Sequence, residues 1–456
     1  MNHKNHRAAY NKILAKQNAN SFFDELHSPF NKAMALKEAD HCLYCYDAPC
    51  IQACPTSIDI PTFIHQIKTG NVMGAAHTIL KENIMGGTCA RACPTEVLCE
   101  QACVLNDDAG KPVEIGLLQR FATDHLMAKS VSHPFRRAAR TGRTIAVIGA
   151  GPAGLSFAHR AAVLGHDIHI YEARDKAGGL NEYGLAAYKM ADDFAAREVD
   201  FLLGIGGIEI FYGTSLEQDL SLPDLSLANL SLNNLQDKYD AIFIGVGLGG
   251  TNDLGLDGEA MSGIADAIDF IENLRQTDDL SRLDLGENII VIGGGNTAID
   301  AAIQAKKLGS PNVALVYRRG EDEMGATAFE VELARKNGIS IHLWSKPIIL
   351  HGKNSITAIT FEHTAIKDGK LTGTGEAYIL DCDMLLKAIG QKLAGTGLQD
   401  LATKDGKLVI SENYQTSNKK IFAGGDCVLS GEDLTVQAVE DGKQAAIAMD
   451  IWLRDN

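Results

Sequence analysis

The sequence lacks the features that mark a secreted or membrane-spanning protein. No stretch of its 456 residues supplies the roughly eighteen uninterrupted apolar residues that a transmembrane helix needs. The first residues, MNHKNHRAAYNKILAKQ, contain no apolar core of the kind that a secretion signal requires. We therefore expect a soluble, cytoplasmic protein.

The sequence is also poor in basic residues. It has 42 Lys and Arg against 58 Asp and Glu, which gives a formal net charge of −16 at pH 7. Proteins that bind nucleic acids need a basic surface to meet the phosphate backbone, so the charge argues against that class of function. An apolar content of 45% and a charged content of 22% are ordinary for a globular protein, and the length predicts two or three domains.

Cysteine, in contrast, is concentrated near the start of the chain, where eight of the ten lie in two runs. The first run contains Cys42, Cys45, Cys50 and Cys54, and the second contains Cys89, Cys93, Cys99 and Cys103. Spacings of this kind let several thiolates converge on one centre. Cys54 and Cys93 each precede a proline, and a Cys-Pro ending often marks a ligand that crosses to a partner cluster.

Three kinds of chemistry use such runs. Disulfides belong mainly to secreted proteins, and nothing in this sequence directs secretion. Structural zinc uses four-thiolate sites, but usually as two well-separated Cys-x2-Cys pairs. Iron–sulfur clusters fit the spacing best, and zinc remains the alternative. The polar first 40 residues, with Phe22, Phe23 and Leu26, are expected to pack on this cluster region.

From Thr144 the pattern changes to that of a dinucleotide-binding unit. It predicts a buried strand over 145–149, a G-x-G-x-x-G turn over 149–154, a helix through Leu164 and a strand that ends at Glu172. The glycines would let the backbone approach a pyrophosphate at the helix N-terminus, while the acid would bond ribose hydroxyls. The candidate residues of this unit are Gly149, Gly151, Ala153, Gly154 and Glu172.

The unit repeats 144 residues later, with a strand over 288–293, a glycine turn over 293–298, a helix to Leu308 and a strand over 312–317. The second unit ends in Arg318 and Arg319 instead of an acid. Such a pair suits a 2′-phosphate, although it could also be a solvated strand end. We therefore expect FAD in the first unit and NAD(P) in the second, with a preference for NADP. The turn's candidate residues are Gly294, Gly295, Asn296 and Thr297.

Two later stretches resemble those of flavoproteins with two dinucleotide-binding domains. One is an apolar strand that ends at Ala388, Ile389 and Gly390; the other ends at Gly425 and Asp426 and precedes a helix that begins near Thr435. In such flavoproteins the acid bonds the flavin ribityl chain. The helix N-terminus, here Thr435, Val436 and Gln437, faces the flavin, where its dipole stabilises negative charge. A Leu/Ser/Asn-rich stretch near 215–235 is expected to be a surface excursion.

Four motifs carry a more specific resemblance: HCLYCYDAPC at 41–50, CPTSIDI at 54–60, IGLLQ at 115–119 and DGKQA at 441–445. From about Asp40 onward the chain resembles the flavin and iron–sulfur subunit of bacterial dihydropyrimidine dehydrogenase. It is also similar to the N-terminal half of the single-chain eukaryotic enzyme and to the small subunit of glutamate synthase.

The resemblance implies an α/β flavoprotein with two Rossmann-like domains, one inserted in the other, and an N-terminal α-helical iron–sulfur domain. The implied domains are 1–140 for two 4Fe-4S clusters, 141–255 with 392–456 for FAD, and 256–391 for NAD(P).

The same resemblance implies ligand sets that cross between the two runs. One cluster would be held by Cys42, Cys45, Cys50 and Cys103, and the other by Cys54, Cys93, Cys99 and Gln119. In the resembling pattern of glutamate synthase small subunits, a Glu stands at the position that matches Gln119. An amide brings no charge, so the second cluster would be easier to reduce. Cys89 has no ligand role in this pattern.

Weaker implications concern single positions. Leu180 and Lys189 match positions that touch FAD, whereas Gly325 stands where a further phosphate-binding Arg is expected. Cys382 and Cys427 form no Cys-x-x-Cys pair, so we expect packed core thiols and no disulfide relay.

The implied function is that of an electron-entry subunit. NAD(P)H would reduce FAD, and electrons would pass through the two clusters to an FMN-containing catalytic subunit. That subunit would reduce uracil or thymine to the 5,6-dihydropyrimidine, in pyrimidine catabolism. No catalytic side chain is expected in this chain, which stops at Asn456, before the barrel of the single-chain enzyme would begin. The alternatives are a glutamate-synthase-like subunit that feeds another acceptor and a non-enzymatic protein that binds zinc and nucleotide.

Overall fold

The computed structural model describes residues 12–106, 110–129, 132–216, 230–394 and 397–456. The chain divides into two compact units. The large unit consists of His27–Glu182, Asp193–Gly249 and Lys392–Asn456. The small unit consists of Gly250–Gln391, Tyr183–Asp192 and the residues up to Leu26.

The first part of the large unit consists of short helices. They are short because prolines and the loops that carry the cysteines interrupt every longer element. Its core contains the fully buried side chains of Phe63, Ile64, Ile79 and Leu118. The helices are Lys32–Ala39, Pro49–Gln52, Ile60–Lys68, Val72–Glu82, Gly86–Ala92 and Ile115–Met127, with 3-10 turns at Thr95–Val97 and Val104–Asn106.

The second part of the large unit is a five-stranded parallel sheet. Its strands are almost entirely apolar, as expected where helices cover both faces. In spatial order they are Ile421–Ala423, Ala241–Ile244, Thr144–Ile148, Asp167–Tyr171 and Ile208–Phe211. The helices of this part are Pro152–Val163, Phe194–Leu203, Leu232–Lys238 and Thr435–Asp455, and a short hairpin pairs Thr403–Lys404 with Lys407–Leu408.

The small unit contains a second parallel sheet and an antiparallel one. The parallel strands, in spatial order, are Ile264–Asp266, Met384–Lys387, Asn288–Ile292, Asn312–Val316 and Ser340–His342. The antiparallel strands are Ser345–Gly352, Ile356–Lys367 and Lys370–Asp381. The helices are Ala19–Phe22, Ala267–Gln276, Asn296–Lys307 and Ala328–Lys336, with 3-10 turns at Leu280–Arg282 and Glu321–Glu323. Short elements at the limits of the two units are Leu180–Tyr183, Gly250–Thr251 and Gln391–Lys392.

The predicted elements of both dinucleotide units are confirmed to within a residue or two. The strand expected over 145–149 is Thr144–Ile148, and the helix expected to begin near Thr435 is Thr435–Asp455. All ten cysteines are free thiols, so none forms a disulfide. In the described ranges, no helix is both long enough and apolar enough to span a bilayer.

The expectation that residues 1–40 pack together on the cluster region is wrong for the described residues before His27. Leu14 and Phe23 are buried in the core of the small unit with Phe270, and the Leu26 N–H donates to the Tyr188 carbonyl at 2.8 Å. Of the first 40 residues, the helix Lys32–Ala39 and the preceding Phe30 do pack on the cluster region. An apolar side chain gains from burial against any apolar face, so its sequence does not specify which face it meets. Most of the excursion expected near 215–235, namely 217–229, lies outside the described residues.

Candidate cluster and nucleotide sites

Four cysteines from the two separate runs line one cavity of the large unit, and apolar side chains complete its wall. The cysteines are Cys42, Cys45, Cys50 and Cys103, and the wall includes Ile60, Ile64, Val113 and Ile115. The backbone turns sharply between the cysteines, since Tyr44 and Ala48 have φ of 52° and 26°, a region that residues with side chains rarely adopt. The structure thus brings together the four residues of the first expected ligand set.

The environment of this cavity disfavours free thiolates. Burial raises the pKa of Cys42, and it raises that of Cys50 to about 11, with Cys42 and Cys103 adding to the rise. Such thiols stay protonated at neutral pH unless a cation stabilises the thiolate. Iron ions supply that positive charge, so the donor set and its apolar lining fit a thiolate-bound cluster.

Three cysteines of the second expected set lie close enough to influence one another. A hydrogen bond with Cys89 raises the pKa of Cys93 well above its usual value, and burial and the charges of Cys99 and Cys54 add to the effect. Burial, followed by Glu100 and Cys54, also raises the pKa of Cys99. In the described ranges, no three His, Cys, Asp or Glu side chains form a group that could hold a metal ion. In a cubane cluster each protein ligand binds a different iron atom, so its ligands stand farther apart than those of one ion.

Gln119 lies on the helix Ile115–Met127 and is 7% exposed. Its Nε2 donates to the Gly86 carbonyl at 2.7 Å. A carbonyl oxygen can only accept a hydrogen bond, so this contact fixes the amide with Nε2 toward Gly86 and Oε1 on its other side. The oxygen is the end of the amide that can bind a metal.

The helix Gly86–Ala92, which leads into Cys93, is capped by a residue that the sequence did not reveal. Glu198 is fully buried, and its Oε1 accepts the N–H groups of Gly87 at 2.8 Å and Thr88 at 3.0 Å. The Thr88 hydroxyl donates to its Oε2. Burial raises the pKa of Glu198 to about 7, although the bonds from Thr88 oppose the rise. Because the partners lie more than 100 residues apart, no local pattern could have revealed this cap.

The first glycine turn has the geometry of a phosphate-binding turn. A side chain at Gly149, where φ is 95°, would meet the Gly245 carbonyl, and one at Gly154 would meet the carbonyl of Gly149. No side chain caps the helix Pro152–Val163 at Gly151, so its first N–H groups remain available to an anion. Glu172 is 8% exposed and accepts the Ala150 N–H at 2.7 Å.

Asp426, the acid that the sequence predicts to bond the flavin ribityl chain, follows the strand Ile421–Ala423 of the large unit's sheet. Burial, followed by Asp433, raises the pKa of Asp426 to about 6. Its neighbour Gly425 has φ of 83° and donates its N–H to Asp441 at 2.9 Å. The helix Thr435–Asp455 starts nearby in sequence without a side-chain cap, and its first residue, Thr435, donates to Asn181 Oδ1 at 2.8 Å.

The second glycine turn, in the small unit, repeats the geometry of the first glycine turn. A side chain at Gly293 would meet the Ala388 carbonyl. The residue that follows the strand Met384–Lys387 therefore lies directly against the turn. Gly295 is the N-cap of the helix Asn296–Lys307 and offers no side-chain hydrogen bond, and a Cβ at this position would meet no atom within 4 Å. The Gly390 carbonyl accepts the Asn252 N–H at 3.0 Å.

Arg318 and Arg319 follow the strand Asn312–Val316, as the sequence predicted. Among the described residues, their guanidinium groups have no ion pair and no hydrogen bond, whereas the nearby Glu321 is paired with Arg335 through Nη1 and Oε1 at 3.0 Å. Gly325 lies beside the second turn, since a Cβ there would stand 4.0 Å from the Gly294 carbonyl oxygen.

The two weaker flavin positions fall in different units. Leu180 follows Gly179, where a Cβ would stand 2.8 Å from Gly151 Cα, so it lies next to the first turn. Lys189 belongs to the small unit, where its Nζ lies 2.9 Å from Asp300 Oδ1 and 2.6 Å from Glu330 Oε1. Burial lowers the pKa of Lys189, but these two carboxylates more than offset it and hold the pKa above its usual range.

Lys443 is a second buried cation, and its motif alone does not reveal a role for it. It lies inside the DGKQA motif on the helix Thr435–Asp455, and its side chain is 7% exposed. Val439 and Ala446, four residues before and three after, are fully buried. That spacing places the lysine on the apolar face of the helix, which was a detectable signal.

Comparison with known families agrees with this geometry. A family described as dihydropyrimidine dehydrogenase domain II, 4Fe-4S cluster, matches residues 18–131. A second family, described as pyridine nucleotide-disulphide oxidoreductase, matches residues 143–442, which is more than half of the chain.

Individual relatives match over nearly the whole chain. The chain is 33% identical over 436 residues to an NAD-dependent dihydropyrimidine dehydrogenase subunit PreT homolog of Salmonella typhi, covering 95% of this chain and 98% of that one. It is 31% identical to the small chain of glutamate synthase (NADPH) of Escherichia coli K12, covering 94% of each. Among solved structures, FprA of Mycobacterium tuberculosis in complex with NADPH has a TM-score of 0.56 at 17% identity over 69% of this chain and 85% of that one, which shows a shared fold.

Proposed function

We propose a function on the premise that this chain belongs to the family of pyridine-nucleotide-dependent flavin and iron–sulfur oxidoreductases that includes the dihydropyrimidine dehydrogenase subunit PreT and the glutamate synthase small chain. The chain is an NAD(P)H-dependent oxidoreductase. We infer that it is the electron-entry subunit of a dihydropyrimidine dehydrogenase. It takes electrons from NAD(P)H and delivers them to an FMN-containing subunit that reduces uracil or thymine.

The cofactors carry the redox chemistry, and the protein binds and tunes them. When bound, FAD would accept a hydride from NAD(P)H, and each 4Fe-4S cluster would carry one electron at a time. The side chains of this chain hold and orient these groups and exclude water from them. No side chain is assigned as a nucleophile or a general acid.

The observation that carries this proposal is the convergence of both cysteine runs on one cavity. Cys103 lies more than fifty residues beyond Cys50, yet both line the same wall. We propose that the first cluster binds Cys42, Cys45, Cys50 and Cys103. We propose that the second binds Cys54, Cys93, Cys99 and the Oε1 atom of Gln119.

The flavin site is proposed for the large unit. The turn at Gly149, Gly151, Ala153 and Gly154 would bind the pyrophosphate at the helix N-terminus. Glu172 would bind ribose through the acceptor sites that the N–H groups of Ala150 and Arg174 leave free. Gly425 and Asp426 would hold the ribityl chain, and the uncapped start of the last helix would face the flavin ring. Leu180, beside the turn, completes the set of proposed flavin contacts.

The nicotinamide dinucleotide site is proposed for the small unit. The turn Gly294, Gly295, Asn296 and Thr297 would bind its pyrophosphate, with Ala388, Ile389 and Gly390 beside it. The unpaired guanidinium groups of Arg318 and Arg319 favour NADPH over NADH, and Arg335 pairs with Glu321, the first carboxylate after them in the sequence. We accordingly propose iron–sulfur, flavin and nicotinamide domains at 1–140, 141–255 with 392–456, and 256–391, except that the described residues before His27 pack with the nicotinamide domain.

A glutamate-synthase-like role is the second candidate, because the small chain of glutamate synthase matches at 31% identity over 94% of each chain. The amide of Gln119 favours the dihydropyrimidine dehydrogenase role, because the pattern of the glutamate synthase small subunits has a Glu at the matching position. We propose that either complex works in the cytoplasm, where thiols remain reduced and available to iron.

The test is to purify this chain alone and to isolate its partner from the native host. The chain alone should oxidise NAD(P)H with an artificial electron acceptor but should not reduce uracil. Uracil reduction should appear when the FMN-containing partner is added. Uracil reduction by the rigorously purified single chain would contradict the proposal, and a glutamine-dependent partner would favour the second candidate.

A further inference from the structure

Lys443 is a buried cation of the large unit. Its contacts reach the turn of Cys54, a cysteine of the second proposed ligand set. Its Nζ donates to the Glu82 carbonyl at 3.0 Å and to the Thr56 carbonyl at 3.4 Å. It also forms ion pairs with Glu440 Oε2 at 2.7 Å and with Glu82 Oε2 at 3.3 Å. A buried ammonium is costly unless it is paired and hydrogen-bonded, and this one has both kinds of partner.

The Thr56 contact connects this cation to a proposed cluster ligand. Thr56 is fully buried, and its Oγ1 lies 3.3 Å from Cys54 Sγ. Lys443 therefore holds the carbonyl of the residue whose hydroxyl touches the ligand sulfur. The ammonium is thus connected to Cys54 through one residue, Thr56, by a 3.4 Å hydrogen bond to its carbonyl and a 3.3 Å contact from its hydroxyl.

The same lysine is also rigidly connected to the proposed flavin site. It lies eight residues after Thr435 on the same helix. At a rise of about 1.5 Å per residue, it is about 12 Å along the axis from the end proposed to face the flavin. The start of the helix is thus the end proposed to face the flavin, and Lys443 in its third turn contacts the turn that contains Cys54.

We propose that Lys443 is a positioning residue for the second cluster. It fixes the Cys54–Thr56 turn through the Thr56 carbonyl, and its positive charge raises the reduction potential of the cluster bound there. A cluster gains one negative charge when it takes up one electron, so a nearby cation stabilises the reduced form. Net charge and hydrogen bonds to the sulfurs are established determinants of cluster potential. The inference rests on the proposed ligand set.

The charge balance around Lys443 strengthens the expected effect. Glu82 and Glu440 place two carboxylates beside the buried ammonium of Lys443. The exposed Lys81 and the half-buried Arg160 are further cationic neighbours of these carboxylates. Removing the ammonium leaves both carboxylates without this partner, which disfavours a further negative charge on the cluster. A purely structural ion pair would change stability without moving the potential of one cluster in this direction.

The test compares Lys443→Met with the wild type in the full chain with its cofactors. The control is Lys81→Met, which removes the same charge from a side chain that is 68% exposed and lies 3.5 Å from the other oxygen of Glu82. Lys443→Arg tests rescue by a side chain that keeps the charge. Redox titration followed by electron paramagnetic resonance measures each cluster, and Cys54→Ser identifies the signal of the second.

At a fixed ambient potential, Lys443→Met should lower the ratio of reduced to oxidised second cluster at least tenfold, which is about 59 mV for a one-electron couple. The first cluster and the Lys81→Met variant should not shift, and Lys443→Arg should recover most of the loss. An unchanged second-cluster signal in iron-replete Lys443→Met, or an equal shift in Lys81→Met, would overturn the inference.

If Lys443→Met does not retain iron, Thr56→Val decides the question. This variant removes only the hydroxyl beside Cys54, and its second-cluster signal should shift the same way by a smaller amount; no shift would overturn the inference. Wild-type protein without two cluster signals would instead refute the proposed ligand sets, so the two failures can be distinguished.

Discussion

At the scale of single residues, charge placement after each glycine turn distinguishes the two nucleotide sites. The first unit ends in Glu172, whose carboxylate is tied to the turn by the Ala150 N–H. The second ends in Arg318 and Arg319, whose guanidinium groups are unpaired among the described residues. A carboxylate would repel a 2′-phosphate, whereas a guanidinium group can bind it with two parallel hydrogen bonds.

We expect the double variant Arg318→Gln, Arg319→Gln to raise the KM for NADPH and to spare that for NADH. Each charge-assisted bond to a phosphate contributes roughly 1.5–3 kcal/mol, so the loss should be at least about tenfold. Steady-state kinetics with both nucleotides measures it. Arg282→Gln, which removes an exposed positive charge elsewhere in the small unit, is the control. A wild type that prefers NADH and a variant with an unchanged ratio would show that the pair is only a solvated strand end.

Asp426 gives a pH-dependent prediction for the flavin. Its pKa is raised to about 6 by burial and by Asp433, and hydroxyl donors on the ribityl chain would favour the charged carboxylate. Binding of FAD should therefore be strong above pH 6 and should weaken as the pH falls through 6, because protonation removes the acceptor.

The Asp426→Asn variant should bind FAD about 10- to 100-fold more weakly at neutral pH and should lose this pH dependence. Fluorescence titration of the flavin-free protein on both sides of pH 6 measures both effects. Asp405→Asn, an exposed site of the large unit with φ of 51° that Asn tolerates, is the control. An FAD affinity of the wild type that does not vary with pH would contradict the assigned role.

How much of the site could be read from the sequence depends on how local each signal is. The glycine turns and the residues that follow their strands were found because all the members of each motif lie within about thirty residues. The cross-run cysteine grouping came only from a family resemblance, because spacing alone does not say which thiols converge. Glu198 was missed since its partners are 110 and 111 residues away.

At the scale of elements, the short helix Gly86–Ala92 depends on a distant cap. Met85 precedes it and offers no side-chain hydrogen bond, so Glu198 satisfies the first N–H groups in its place. The carboxylate also compensates the positive end of the helix dipole. Because this helix leads into Cys93 and its Gly86 carbonyl orients Gln119, the cap supports two proposed ligands of the second cluster.

We expect Glu198→Ala to lower the free energy of unfolding by about 2–4 kcal/mol, because each buried N–H left without an acceptor costs about 1–3 kcal/mol. Thermal unfolding and iron retention of the purified protein measure the effect. Glu209→Ala, which removes a carboxylate that is 65% exposed, is the control. Equal unfolding midpoints for the two variants would rule out the capping role.

The effect of Glu198→Ala should also depend on pH. The pKa of Glu198 rises from an unfolded value of 4.5 to about 7, so the native state holds this proton more tightly than the unfolded state. Its contribution to stability is therefore complete below pH 4.5 and decreases as the pH rises through 7. The difference between wild type and variant should shrink over that interval.

The elements themselves were largely predictable, because parallel strands buried on both faces have apolar sequences with sharp ends. The antiparallel sheet Ser345–Asp381 was not predicted. Its long strands have mixed exposure and lack a regular alternation, and Ile349, Ile366 and Ile379 are exposed. The described residues before His27 were assigned to the wrong unit, since their apolar side chains carry no information about which core receives them.

At the scale of the whole molecule, chain order and spatial grouping differ. The large unit combines the cysteine region, the first nucleotide unit and the last helix, although Gly250–Gln391 separates the last helix from the other two in sequence. Within it, the helix Thr435–Asp455 connects the proposed flavin end to the loop of Cys54 through Lys443. This arrangement is what an electron-entry subunit requires, because flavin and clusters must be held at fixed positions within one body.

The central claim is that the two cysteine runs and Gln119 hold two 4Fe-4S clusters in a flavoprotein. The most direct test is the content of iron, acid-labile sulfide, zinc and flavin in anaerobically purified protein. We expect about eight iron, about eight sulfide and about one FAD per chain, because each cubane cluster holds about four iron and four sulfide. Iron near zero with about two zinc per chain would contradict it.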